Sequence, residues 1–518
     1  MLDCWSMERS APPREFTPSQ ANASGGVVSS PGSTPIRLWL EWLTAALVAV
    51  SALVCLWQAM GEARLPFQLD YEEGNILNAG VRIVHGLTPY PDPRAYPNAL
   101  NPYGPVGYYL VALCVRVGAV GFTLSRLLML ACGVGIALLL WMLIREGTGS
   151  AALATVFGLY FLANGVSRVW LPLLRVDLLA IALTLAGFWI CLRNPQRWWW
   201  LAAGLFSLAL LVKYTALAAP AAAVLFLASR GEWKRALAVA GTIAAVCLAV
   251  CYWFQVGTDG AFFFHLFRTH SDPYSLRRFM MIFGLVRWSL LPLAPLVVAF
   301  LLLRARQAPA ALFYLLCAGG VVLVTAGKEG SAMNHFLELV AAACLAAALG
   351  YQALANVARL RPMLPVFAGI CGVAALYFAG LFTSNARLVP LAVSGCPELY
   401  RRVKESPAPF VLSENVGAVV LAGKEPVVSN PFVLTYLVRS HQLSNAPLED
   451  AVSARSFGLI ILSMEPQAIL QLGSTRWWGR LAEAMDKNYF ITSVYDCTDG
   501  NVLLTPKPTA VAATKSNR

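Results

Sequence analysis

The chain has 518 residues, 58% of them hydrophobic and only 13% charged, with a mean hydropathy of +0.62. Soluble domains are about 45–50% apolar and about 25% charged, so this composition excludes a soluble globular protein and indicates a polytopic membrane protein. The net charge of +12 does not point to nucleic acid, because the basic residues are dispersed in short clusters between apolar runs.

Residues 1–35 are rich in Pro, Ser and Gly, lack an apolar period and read as a disordered cytoplasmic tail. The first apolar run, Pro35 to Met60, reads as an uncleaved signal anchor, and Arg14 and Arg37 before it favour a cytoplasmic N-terminus. A long polar loop, 61–104, then faces outward. It holds three carboxylates, Asp70, Glu72 and Glu73, followed by an amphipathic run (Ile76, Leu77, Val81, Ile83, Val84) and a Pro-rich return ending Tyr103-Gly-Pro105. Loops this long between membrane helices are uncommon unless functional, and ionisable groups beside a bilayer are costly unless solvated or employed.

The basic clusters at Arg145, Arg193/Arg197, Arg230/Lys234/Arg235, Arg304/Arg306 and Arg359/Arg361 all fall in the cytoplasm if the spans are 122–144, 150–168, 176–192, 198–213, 215–230, 234–256, 281–303, 309–326, 334–354 and 363–384. Residues 105–119 are apolar but short and contain Arg116; they read as interfacial or re-entrant. The count is then eleven crossings, with twelve or thirteen open. The expected fold is mainly α, polytopic, with a membrane domain over 36–384. From 385 the composition turns polar. Short β-like runs (Phe410–Ser413, Phe457–Leu462) alternate with helical ones (Phe432–Arg439, Trp477–Met485), and Tyr489–Leu504 reads as a hairpin turned at Asp499-Gly500. This predicts a small α/β extracytoplasmic domain over 385–507, then a tail at 508–518. Of twelve cysteines, only Cys396 and Cys497 flank that polar region, and an oxidising compartment would let them pair.

The outward charges cluster at span ends, which suggests a polar cavity opening on one face. Asp70 is the first candidate general base and Glu73 the second. Glu72 and Asp177 are candidates for positioning an acceptor or a divalent cation, since paired acids serve either purpose. Arg175, Lys213, Lys328 and His335 are candidate phosphate ligands. Each has a plainer reading: hydrated acids in the loop, an internal Arg175–Asp177 pair, a snorkelling Lys213, and a polar interhelical contact at Glu338 with His335 as its helical neighbour. The run Phe262–His270 with Arg277 and Arg278 reads as an interfacial helix or the edge of a lipid entrance.

Asp70-Tyr-Glu-Glu73-Gly74 with Gly86, Pro89-Tyr90 and Tyr103-Gly-Pro105 resembles the first outer loop of GT-C class integral-membrane glycosyltransferases, near the protein mannosyltransferase and aminoarabinose transferase group. Arg175-Val-Asp177, Lys213 and Asn334-His335-Phe-Leu-Glu338 resemble recurring elements of that class, although His335 stands where a Tyr is usual. The resemblance covers about 36–384. It implies a polyprenyl-phosphate sugar donor, a glycan, lipid or protein acceptor, transfer at the outer face of the plasma membrane, and a loop carboxylate as base. The competing reading is a transporter or lipid flippase; no internal repeat of the kind transporters show is visible.

Overall fold

The computed structural model describes residues 35–380, 393–500 and 502–508. Nearly all of the two expected tails, and the domain boundary expected at 384–385, lie outside them. From 35 to 378 the described chain is helical: α1 (Pro35–Ala63), α2 (Tyr71–Val84), α3 (Pro105–Gly118), α4 (Thr123–Thr148), α5 (Ala151–Tyr160), α6 (Gly165–Trp170), α7 (Asp177–Arg193), α8 (Pro195–Val212), α9 (Ala218–Ser229), α10 (Trp233–Gly257), α11 (Ala261–Phe267), α12 (Leu276–Leu290), α13 (Ala294–Leu303), α14 (Pro309–Thr325), α15 (Leu337–Ala355) and α16 (Leu364–Phe378).

Every expected apolar run carries helix among its described residues, but fewer than eleven stand alone as spans. Among the described residues, five helical stretches are long and apolar enough to cross a membrane: Arg37–Ala63, Thr123–Thr148, Trp233–Gly257, Met333–Ala355 and Ala358–Phe378. The run expected at 281–303 is two helices, α12 and α13, bent by 83°. Pro292 lies in the break, where it can neither donate a helical hydrogen bond nor fit the preceding turn. The run expected at 150–168 breaks after α5; Asn164 caps α6 through the Val166 N–H at 3.0 Å and donates its amide to the Ser289 carbonyl at 3.0 Å. α9 has 12 residues, about 18 Å of rise against a hydrocarbon layer of about 30 Å. α3, over the segment read as interfacial, has 14 residues and packs along α2, where Gly80 meets Val111.

α15 is the axis of the core. It is buried on nearly every face, and its Ala-rich sequence lets neighbours come close. A Cβ on Gly350 would stand 1.9 Å from the Leu296 carbonyl oxygen of α13, so only glycine permits that crossing.

The C-terminal region carries a four-stranded mixed sheet: β1 (Val411–Ser413), β2 (Leu459–Leu462), β3 (Tyr489–Val494) and β4 (Val502–Pro506), in the order β1-β2-β4-β3. β1 runs parallel to β2 (Val411 opposite Leu459), while β4 is antiparallel to both β2 and β3. β1 and β2 are wholly buried, as unalternating apolar strands between helices should be. The expected hairpin is present, with Asp499 in left-handed conformation at φ 57°. Cys396 and Cys497 form a disulfide with their Cα atoms 4.7 Å apart.

This region and the loop are one packed unit. The Gln68 N–H donates to the Tyr400 hydroxyl at 2.9 Å, and the Gly417 N–H donates to Gln68 Oε1 at 2.8 Å. A Cβ on Gly74 would lie 2.5 Å from the Gly417 nitrogen, so α2 meets the C-terminal region backbone to backbone. Further along, the Asn98 N–H reaches the Val427 carbonyl at 2.7 Å and the Ser429 N–H returns to the Asn98 carbonyl at 2.9 Å. Arg82 pairs with Glu425.

Candidate active site

The site forms where α2 begins. Asp70 is the N-cap, accepting from the Glu72 N–H at 3.1 Å, and Glu73 reaches back to close a capping box. That reciprocal arrangement satisfies the orphan amides of the first turn. It also distributes three acids, alike in sequence, into three environments.

Glu73 is an anchor. Its carboxylate accepts from the N–H groups of Leu69 at 2.7 Å, Asp70 at 3.2 Å and Leu174 at 2.7 Å, and from Arg126 Nε at 2.8 Å and Nη2 at 2.6 Å. Both side chains of this pair are 0% exposed. Arg126 places two further donors on the Leu65 and Phe67 carbonyls, each at 2.7 Å, and lies 4.6 Å over the Phe122 ring. With five donors on it, Glu73 has a structural occupation rather than the open lone pair that a base needs.

Asp70 differs, because its side chain is 25% exposed. Arg175 Nη1 holds Asp70 Oδ1 at 2.7 Å. Arg175 Nε stands 3.9 Å from Asp177 Oδ2. Asp177 in turn pairs with Lys213 and accepts from Asn334 Nδ2 at 2.8 Å. The sequence-separated motifs thus join in one row, Asp70–Arg175–Asp177–Lys213, with Asn334 beside it. Asp177 is placed by opening α7, Lys213 by ending α8, and Asn334 by the turn before α15. Tyr71 is held between two guanidiniums, Arg175 at 5.9 Å and Arg476 at 5.3 Å.

Two cavities meet this row. The first, about 520 Å³, has a polar end lined by Glu72, Arg175, Lys213, Asn334, His335 and Lys328, and an apolar end between α9 and α14 lined by Leu217, Ala221, Val321 and Val324. The second, about 1400 Å³, is lined by Asp70, Glu62 and Arg168 at one end and by Trp288, Val366, Ile370, Val373 and Tyr377 along its side. Those side-wall residues are also exposed on the molecular surface, so the second cavity opens through an apolar wall.

Lys328 lines the first cavity and donates to the His270 carbonyl at 3.2 Å. Nearby, burial and the like charge of Glu329 push the Asp272 carboxyl up to about 7. Glu338 does not pair with His335 as its helical spacing suggested; it accepts from the Ala219 N–H at 3.2 Å, joining α15 to α9. His265 faces neither cavity. Its Nδ1 accepts from the Asn101 N–H at 3.2 Å and its Nε2 donates to the Pro91 carbonyl at 2.8 Å, which fixes one neutral tautomer and pins the Pro-rich return. Burial takes His265 down to about 4.

For a divalent cation, no group of three or more His, Cys, Asp or Glu among the described residues is placed to hold one. Asp177 is surrounded by Lys213 and Arg175, a donor set that suits an anion better than a metal.

Sequence reasoning missed Arg126, Asn430 and Asp272. Arg126 carried a signal, a lone charge within an otherwise apolar run. Asn430 carried a weaker one, an Asn-Pro pair at a helix start. Asp272 carried none.

No protein-family model matches the chain, and no curated protein sequence does. Solved structures do match. ArnT from Cupriavidus metallidurans in the apo state superposes with a TM-score of 0.61 at 12% identity, covering 92% of this chain and 100% of that one. The same protein bound to undecaprenyl phosphate gives 0.59 at 14% identity, covering 90% and 99%. Over about nine-tenths of its length the chain therefore has the GT-C fold seen in ArnT.

Proposed function

We propose that the protein transfers a sugar from a polyprenyl-phosphate carrier to an acceptor hydroxyl, with Asp70 as general base. One observation carries this reading: Asp70 lines one cavity, and its Oδ1 is bonded to Arg175, which lines the other. The first cavity suits a lipid phosphate, with its cationic end and apolar continuation; ArnT, which shares the fold, has been solved with undecaprenyl phosphate. The second cavity brings an acceptor to Asp70.

In the step so defined, the acceptor oxygen forms a bond to the anomeric carbon as its proton passes to the Asp70 carboxylate. The bond from that carbon to the phosphate oxygen breaks, and the electron pair leaves with the phosphate. Lys213 and Arg175 face the charge that develops there, which is where fixed cations contribute most. His335 and Lys328 line the same end. Asp177 keeps Lys213 in place, and Glu73 holds the Asp70 backbone.

On this reading, 36–384 is the catalytic membrane domain and 385–507 a domain on the periplasmic or extracellular side, where transfer occurs. The test is transfer of radiolabel from a panel of polyprenyl-phosphate sugars to membrane extract. Asp70→Asn should lower turnover by about 10²–10⁴, the usual contribution of a general base. Full activity in that variant would remove Asp70 from the chemistry.

A further inference from the structure

Glu72 and Glu73 are neighbours on α2 with opposite circumstances. Glu73 takes five donors, two of them from a guanidinium. Glu72, 3% exposed, takes two neutral ones: Asn430 Nδ2 at 2.7 Å to Oε1, and Asn75 Nδ2 at 3.2 Å to Oε2. A carboxylate offers about four acceptor positions, and a buried charge so thinly bonded is costly unless another polar partner arrives. Burial lifts its carboxyl above the ordinary range, while the charge of Arg175 and the two amides pull the other way. Asn75 is also under-used: it is 1% exposed, its Nδ2 is shared with the Leu100 carbonyl at 3.2 Å, and its Oδ1 has no partner among the described residues.

Glu72 lines the first cavity together with Arg175 and Lys213. Around it the wall is aromatic, with Tyr103 from the loop and Phe432 from the helix Pro431–Arg439, whose N-cap is Asn430. Aromatic faces beside a half-satisfied acceptor suit a sugar ring, which presents C–H faces to stack and hydroxyls to donate.

We propose that Glu72, Tyr103 and Phe432 form the subsite for the donor's sugar ring, with Glu72 accepting from adjacent hydroxyls and Asn430 of the C-terminal region acting as its positioning residue. This rests on the reading that the first cavity takes the lipid-phosphate donor. The C-terminal region then takes part in substrate selection.

The experiment uses the full-length protein in nanodiscs. Dissociation constants are measured for bare undecaprenyl phosphate and for a set of undecaprenyl-phosphate-linked neutral hexoses and pentoses. Wild type is compared with Glu72→Gln, Asn430→Ala, the milder Asn430→Ser, and the Glu72→Gln/Asn430→Ala double variant. The affinity of the bare carrier should change by less than about twofold, as its ligands are elsewhere. The added affinity from the sugar should fall about tenfold in Glu72→Gln and several-fold in the Asn430 variants, and the double variant should lose no more than Glu72→Gln alone. A merely structural role would weaken both probes together. Equal weakening, independent losses, or no gain from any sugar in wild type would overturn the subsite. Failure of wild type to bind the bare carrier would instead overturn the donor-cavity reading, and the subsite with it.

Discussion

Arg126→Met tests the anchor under the site. The Arg126 guanidinium makes two bonds to Glu73, at 2.8 and 2.6 Å, and both side chains are fully buried. Removing it leaves a buried carboxylate held only by the backbone N–H groups of Leu69, Asp70 and Leu174. Breaking a buried pair from one side costs about 3–5 kcal/mol, mostly because the remaining charge is unpaired. At roughly 2 °C per kcal/mol or somewhat less for a large chain, the unfolding midpoint in detergent should fall by on the order of 5 °C. Glu73→Gln removes that charge while keeping an oxygen for the Leu69 and Asp70 N–H groups, which share Oε2, though not for the Leu174 N–H on Oε1, so adding it to Arg126→Met should restore part of the loss. Midpoints of the wild type, both single variants and the double variant, taken at one scan rate, complete the cycle. A midpoint for Arg126→Met within about 1 °C of wild type, or losses that add to within about 0.5 kcal/mol, would refute the reasoning.

Three further outcomes are expected. Lys213→Met should weaken undecaprenyl phosphate binding by at least tenfold and leave Arg175 as the one cation beside Asp177 among the described residues, whereas Lys213→Arg should keep part of the affinity; titration of the carrier into nanodiscs reads both. Reducing the Cys396–Cys497 bond opens a loop spanning 101 positions, which chain-entropy arguments value at up to about 4.7 kcal/mol; thermal unfolding with and without reductant should show the loss, and Cys396→Ser should be insensitive to reductant. The raised Asp272 carboxyl makes the folded state hold a proton that the unfolded state has already released, so its contribution to stability falls as pH rises from about 4 to about 7. Asp272→Asn should therefore gain stability relative to wild type across that window, and parallel melting curves at each pH would contradict the assignment.

The fold class was legible because burying a chain in a bilayer leaves a strong imprint of long apolar runs and basic punctuation. The breaks within runs were not, since Asn164 and Pro292 are single residues whose effect depends on what packs beside them. The site was half legible. Asp70, Arg175, Asp177 and Lys213 each stood out as a charge at a span end, and the structure brings them into one row. What the sequence could not apportion was labour among the three loop acids. The Asp-x-x-Glu spacing at Asp70 and Glu73 is itself a helix-start pattern, and that places Glu73 in the first turn, facing Arg126. Asn430 was hidden because its partner Glu72 is 358 positions away.

That separation also sets an order of events. The loop and its helix are made early, yet two of the groups that hold them, Gly417 at 349 positions' distance and Asn430 at 358, come from the last fifth of the chain. Contacts so remote in sequence form late. A nascent chain would have its helices in the lipid before the C-terminal region had folded against the loop. On the function proposed above, a protein cut short before that region should be inserted but inert.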